Sequence, residues 1–396
     1  MKNLFIFHNW YPTIDDPLNG VFFEERARLL TQIAQIRTIH IQRAQVSFFS
    51  LKWLKSFVNS NSVVTGESSN LLHYHCKVFL IDLDSRIFRF TLTPFLKKNL
   101  IRLNYFLLAK SYERAYLKFE NRRNDVLYGT SVQSCGSAIL SLSEKYDLNY
   151  ILSEHSIIHR DVFASYRTSE AMLRASFIIA ISHDKLRDLL KLNYNFRYRF
   201  LPNMVDEDKF MMTSHSRSGM KVLLFVGSSS WRKDLKTFIK VLASLEAEKI
   251  FGIVRIIGIP YNVFTSLMAS INISFDFKFL KIEILGVVDR LNLPGNYSQA
   301  DALLITSVYE GIPNVCLEAM SCGLPVFSTK CGGVEDIIDG NNGFLFNIGD
   351  SDEISKYLIS FFSGKLIFDG VYIRKKVIEY SGKHKYLSFF SDILKE

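Results

Sequence analysis

ADALLITSVYEGIPNVCLEAMSCGLPVFST, residues Ala300 to Thr329, decides the fold. It reads as one strand-helix-strand unit. Ala302 to Ile305 form a buried strand, Thr306 to Pro313 a loop, Asn314 to Cys322 a helix ended by Gly323, and Pro325 to Phe327 the next strand. Such a crossover is right-handed, and its loop lies at the carboxyl edge of the sheet, where open α/β folds bind ligands. The helix is apolar almost all round, with Val315, Cys316, Leu317, Ala319, Met320 and Cys322 enclosing one carboxylate, Glu318. That pattern belongs to a buried helix, and a buried carboxylate requires a partner. Asn314 lies one turn before Glu318 on the same face, with Ser321 near it. Glu310 stands eight positions before Glu318 in the loop, followed by Gly311, which permits close approach of backbone to a ligand. The free amides around Asn314 and Val315 make an anion site. A carboxylate at each end with amides between suits a ligand carrying hydroxyls at both ends and phosphates in the middle, which describes a nucleotide sugar.

Working outward, short β-branched and aromatic runs alternate with helical patterns along the whole chain, the α/β signature. In the first half LFIF near Leu4 is followed by a helix from about Val21. Further strands are expected at Thr38 to Ile41, Val78 to Ile81, Val126 to Tyr128, Tyr150 to Leu152, Phe177 to Ile181 and Arg199 to Leu201. The alternation restarts with Lys221 to Val226, Ile253 to Ile257 and Ile282 to Leu285. LPNMVDEDKF and TSHSRSG between the halves have linker composition. The expectation is two doubly wound Rossmann-like domains facing across a cleft. Residues 1–205 would bind the acceptor and residues 206–375 the nucleotide sugar, with a C-terminal helix over 376–396 packing back on the first domain.

A chain of 396 residues with 48% hydrophobic and 22% charged content can bury two or three cores, which excludes disorder. No apolar run approaches the roughly 18 residues of a membrane span. MKNLFIFHNWYP lacks the apolar core of a signal peptide, so a cytosolic location is expected. The five cysteines, Cys76, Cys135, Cys316, Cys322 and Cys331, are scattered without a C-x-x-C pair and read as reduced core thiols.

Charge is concentrated. Between Arg86 and Arg123 ten basic residues face two acidic ones, nearly the whole of the chain's net +9, interleaved with large apolar groups such as Phe95, Leu96 and Phe106. That combination suits an anionic bilayer surface, and Ser47 to Val58 has the same character. An ordinary amphipathic helix with a solvated basic face stays open. Nucleic acid is not expected as a partner, since no nucleic-acid motif accompanies the charge.

EGIPNVCLEAMSCGLPV resembles the E-x7-E signature of the retaining GT-B glycosyltransferases, glycosyltransferase family 4, also called group 1. YPTIDDPLNGVFFEERARLL, IIAISHDKLRDLL, LPNMVDEDKF, FVGSSSWRKDLKTFIKVL and CGGVEDIIDGNNGFLF match in the family's order, so the resemblance spans nearly the whole chain. It implies a retaining hexosyl transfer to an acceptor hydroxyl without a metal or other cofactor. Glu318 would bind the donor ribose, Glu310 would contact the transferred sugar, and Lys233 would take the diphosphate. The family has Arg directly after Gly227 and Gly after the lysine. Here Ser228 and Asp234 stand instead, and Arg232 is the candidate substitute for the missing guanidinium.

Gly311, Asn314, Val315, Gly227 and Ser228 complete the expected donor site, with Gly286 giving backbone contacts to the base and Gly332 and Gly333 closing around the donor. In the first domain Gly20, between strand and helix, would meet an anion or acceptor. His155 in NYILSEHSIIHRD would contact sugar or acceptor, with a structural role still open. His159 lies four residues on, but no third ligand accompanies the pair and no metal site is expected. The basic first domain implies a lipid-linked acceptor in bacterial surface-polysaccharide assembly, with the protein peripheral at the inner face of the plasma membrane. A nucleotide-sugar epimerase of the same fold and a non-catalytic membrane-peripheral scaffold are the alternatives. The base, sugar, linkage and oligomeric state are not readable.

Overall fold

The alternating runs build two separate sheets in the computed structural model, which describes residues 2–8, 10–11, 20–46, 62–68, 70–81, 94–119, 124–158, 167–213 and 219–395. One unit comprises Met1–Ile181, Lys185–Leu201 and Leu387–Glu396, the other Ser182–Asp184 and Pro202–Tyr386. These divisions compare with the expected cuts after 205 and 375.

The first unit has strands β1 (Asn3–His8), β2 (Gln35–Val46), β3 (Ser62–Ser68), β4 (Leu71–Ile81), β5 (Val126–Gly129), β6 (Asn149–Ser153), β7 (Ile178–Ala180) and β8 (Tyr198–Phe200). They lie in the order β3-β4-β2-β1-β5-β6-β7-β8, and only the β3–β4 pair is antiparallel. Its helices include α1 (Val21–Leu30), α2 (Pro94–Tyr116), α3 (Val132–Tyr146) and α4 (Thr168–Arg174), and α5 (His183–Leu190) follows β7. The strand order reverses between β1 and β5. One face of α2, carrying Leu107, Leu108, Tyr112, Ala115 and Tyr116, enters the same core as Phe5 and Phe7 of β1 and Ile139 of α3.

The second unit has β9 (Val222–Val226), β10 (Gly252–Ile257), β11 (Leu280–Gly286), β12 (Ala302–Ile305), β13 (Val326–Thr329) and β14 (Gly343–Phe346), all parallel, in the order β11-β10-β9-β12-β13-β14. Helices α6 (Leu235–Ala247), α7 (Tyr261–Ser270), α8 (Leu293–Ser298), α9 (Asn314–Ser321), α10 (Ser351–Phe362) and α11 (Gly370–Ser381) surround it, and α12 (Lys383–Lys395) follows. Phe238, Ile239 and Leu242 of α6 close its core against Phe225, Ile256 and Leu304. Full burial of each such side chain contributes about 1.5–3 kcal/mol.

Two strands go beyond the expected set, β3 and β14. SVVTGES is too polar and GFLF too short for alternation to register, and each becomes a strand only by pairing at a sheet edge. The single helix expected over 376–396 is two, because Gly382 leaves helical geometry with ψ 166°. Phe390 of α12 stacks 5.5 Å from Tyr128, within the first unit.

Candidate functional site

In the second unit the chain leaves β9 toward β10 on one side and reaches β12 on the other, so β9 and β12 flank the topological switch point where such sheets open a crevice. The loops leaving these two strands are stitched together. Val308 N–H donates to the Arg232 carbonyl at 2.7 Å, and Thr306 Oγ1 donates to the Lys233 carbonyl at 2.8 Å. A third loop, after β13, holds the second from behind, with Glu310 N–H donating to the Cys331 carbonyl at 2.6 Å. Gly332 and Gly333 allow that packing, because a Cβ on either would collide with the carbonyl of Glu310 or Gly311. They act by shaping the Glu310 loop.

Lys233 and Glu310, far apart in sequence, meet here as an ion pair at 2.8 Å. The lysine stem lies on Gly227, where a Cβ would stand 3.1 Å from its Cε. Ser307 Oγ donates to the same Glu310 oxygen at 3.0 Å. Asp234, which departs from the family glycine, adopts left-handed backbone (φ 42°, ψ 61°), the conformation glycine takes most easily. Asp tolerates it and gains a cap, its carboxylate accepting from Thr237 N–H at 3.3 Å and Thr237 Oγ1 at 2.5 Å. Ser228 and Arg232 are exposed in this loop.

Glu318 is buried on α9, and both of its oxygens are taken. Arg290 Nη1 donates to Oε1 at 2.7 Å and Tyr297 Oη to Oε2 at 2.9 Å. Burial, then the neighbouring Glu318 charge, pushes the Tyr297 hydroxyl well above its ordinary range, so it stays a donor. One turn earlier, Asn314 Oδ1 is buried without a hydrogen-bond partner. Pro313 starts α9 without a side-chain cap. Gly311 lies in the loop that leads into it. The carbonyl of Gly286, at the end of β11, accepts from Gly258 N–H at 2.6 Å. Burial raises the thiols of Cys322 and Cys331 to about 12, and the neighbouring Glu318 and Glu310 carboxylates add to it, so they are inert packing groups. All five cysteines are buried, with no disulfide among the described residues.

In the first unit, Gly20 caps the start of α1 in left-handed backbone. His155 follows β6, and its Nε2 lies 3.0 Å from Ser153 Oγ, itself 3.0 Å from Tyr128 Oη. The adjacent Glu154 carboxylate is fully buried among neutral donors: Ser131 Oγ at 2.9 Å, Gln133 N–H at 3.1 Å and Ser156 N–H at 3.0 Å. It ties the end of β6 to the start of α3 and thereby fixes the chain at His155. His8, His40 and His75 stand side by side across β1, β2 and β4, with His73 two residues earlier on β4, around Tyr11 and Phe23. His159 lies outside the described residues, among which no group of three or more His, Cys, Asp or Glu could hold a metal ion.

The structure thus assembles Glu310, Lys233, Gly227, Gly311, Asn314, Val315 and Glu318 in one unit and places Gly20 and His155 in the other. The identity of Arg290 and Tyr297 as partners of Glu318, the bonds that bury Glu154 and the histidine layer were not anticipated. A buried Glu318 signalled that it needed a partner, but nothing in the local sequence said which. For the histidines the period-2 spacing of His73 and His75 was a readable signal.

Residues 220–363 match the family model described as glycosyl transferases group 1. Over 196 residues the chain is 24% identical to N-acetyl-alpha-D-glucosaminyl L-malate synthase of Bacillus anthracis, covering 47% of this chain and 50% of that one. Over 67 residues it is 43% identical to the lipopolysaccharide 1,6-galactosyltransferase of Salmonella typhimurium, covering 16% and 19%. The matches span half or less of the length of these curated relatives. The Anabaena protein HepE, solved in complex with UDP, superposes with a TM-score of 0.69 at 15% identity over 100% of both chains. These likenesses show the GT-B fold class, two Rossmann-like sheets, and the family match lies within the second unit.

Proposed function

We propose that the chain is a retaining glycosyltransferase that moves a sugar from a nucleoside diphosphate to a hydroxyl of a lipid-linked glycan at the cytosolic face of an anionic membrane. The observation that carries the reading is the Lys233–Glu310 pair, held at the switch point beside the first turn of α9, with Glu318 one turn deeper. The resemblance assigns these groups to diphosphate, sugar and ribose.

As the bond from sugar to diphosphate breaks, negative charge grows on the leaving phosphate. Lys233 and the first-turn amides of α9 supply positive potential there, strongest where charge develops in the transition state, and a divalent ion is not needed. Glu310, rather than attacking, accepts hydroxyls of the sugar and orients it while the acceptor oxygen approaches from the face the diphosphate leaves. That same-face course retains the anomeric configuration. His155, its Nε2 beside Ser153, contacts sugar or acceptor.

The lipid-linked acceptor is supported by the exposed face of α2, where Arg102, Lys110 and Arg114 surround Phe106, itself 49% exposed. The name of the Salmonella relative, a lipopolysaccharide transferase, points the same way. Arg86, Arg89, Arg122, Arg123 and the stretch Ser47 to Val58 lie outside the described residues. Among the described residues no helix is long and apolar enough to cross a membrane.

The test incubates the protein with UDP-, GDP- and ADP-sugars and lipid-linked saccharides. Release of nucleoside diphosphate that requires acceptor, with NMR coupling constants showing the donor's anomer in the product, is expected. Release independent of acceptor, or the opposite anomer in the first product formed, overturns it.

A further inference from the structure

Resting on the reading of Glu318 as the ribose ligand, we propose that Arg290 is a donor-phosphate ligand that occupies the ribose site until the diphosphate draws it away. Arg290 stands in the loop after β11, far in sequence from the Ser-rich loop after β9, yet its guanidinium donates to Glu318 Oε1 at 2.7 Å. With Tyr297 on Oε2, each oxygen of the carboxylate already accepts from the protein itself. The two partners differ in mobility. The Glu318 side chain is 4% exposed, locked on α9, whereas that of Arg290 is 22% exposed and its guanidinium rests 5.5 Å above the Phe210 ring. Arg290 is therefore the member of the pair that can leave.

In the loop after β9 Ser228 stands where a guanidinium would face the diphosphate, Arg232 is exposed, and Lys233 shares its charge with Glu310. Arg290 adds a second guanidinium from the loop after β11. Glu318 lies one helical turn, about 5.4 Å, past the first-turn amides of α9 where an anion would sit. A guanidinium on Glu318 is within a side-chain rotation of that place, and its planar fork matches phosphate oxygens bidentately. The exchange gives the site an order. Phosphate takes Arg290, Glu318 Oε1 is uncovered, and the ribose hydroxyls take over the vacated oxygen. A nucleoside without phosphates has nothing to offer the guanidinium and must compete with it, so the site discriminates for diphosphates beyond the charge of Lys233.

The experiment measures binding of UDP, GDP and ADP, and of uridine, guanosine and adenosine, to the full chain by calorimetry. Arg290→Ala is expected to weaken the preferred diphosphate by about 10-fold or more, the size of a lost charged hydrogen bond, while its parent nucleoside binds more tightly. Arg290→Lys, which keeps a positive charge without the fork, should fall between wild type and Arg290→Ala for the diphosphate, and it supplies the comparison if the alanine variant does not fold. Equal loss for diphosphate and nucleoside would show that Arg290 only holds Glu318 in place, and unchanged affinity for both would show that it does neither; each overturns the inference alone. If the wild-type chain binds none of the three diphosphates, the proposed function falls and this inference falls with it.

Discussion

Glu310 and Glu318, eight residues apart, are given different work by their surroundings. Glu310 sits in a half-exposed loop against a lysine, and Glu318 on a buried helix against Arg290 and Tyr297. Glu318→Ala should weaken free nucleoside diphosphate and donor alike, because a ribose contact does not depend on the sugar, at a cost of about 1.5–3 kcal/mol. Titration calorimetry checks this, and unchanged diphosphate affinity in the folded variant would remove the assignment. Lys233→Ala should reduce kcat by about 10²-fold or more, since its partner charge is largest in the transition state. Glu310→Gln should bind nucleotide normally and lose turnover, a split that steady-state kinetics with direct binding resolves. A trapped covalent adduct between sugar and Glu310 would replace the same-face course with a two-step one. At this scale the sequence singled out Glu310, Glu318 and Lys233 through their resemblance to a family motif, because a motif keeps its spacing along one loop and helix. Arg290 and Tyr297 were not, because they come from elements brought to Glu318 only by packing of α8 and the β11 loop on α9.

Helix α2 divides its two faces between core and solvent. Because Arg102, Phe106, Lys110 and Arg114 recur four residues apart, they share its outer face. The chain should bind anionic vesicles more than neutral ones, less so as salt rises, and a triple Arg102→Gln, Lys110→Gln, Arg114→Gln variant should bind them more weakly. Equal co-sedimentation with neutral vesicles at low and high salt would remove the charge from the account. The histidine layer on β1, β2 and β4 makes a different prediction. Burial depresses His8, His73 and His75 below the ordinary histidine range. His40, His73, Arg26 and His155 depress His8 further. At His73 and His75 Glu24 opposes the shift, while Arg28 and His73 respectively add to it. The folded state therefore binds fewer protons than the unfolded one below about pH 6.5, the ordinary histidine value. Stability from this layer is complete above that pH and falls with acidification toward the depressed folded values. Denaturant melts between pH 8 and 5 should show the loss, and a variant with His8→Phe should show less of it. An unchanged slope in that variant would mean that the acid sensitivity arises elsewhere.

At the scale of the whole molecule, each unit has its own core, and the groups assigned to the donor's nucleotide all belong to the second. A nucleoside diphosphate at about 100 times its dissociation constant should therefore stabilise that unit by about 2.7 kcal/mol. Scanning calorimetry should show the second unit's transition moving up while the acid-sensitive one stays in place; joint movement of a single transition would mean that the units unfold together. Hydrophobic periodicity alone determined the α/β class, the two sheets and the strand-helix-strand unit around α9, because these depend on residues close along the chain. Tertiary structure alone decided the edge strands β3 and β14, the break at Gly382, the partners of Glu318, the clamp on Glu154 and the histidine layer. Each of these is a pairing between segments far apart in sequence, and the energy that selects it, burial and satisfied hydrogen bonds, exists only once the sheets have formed.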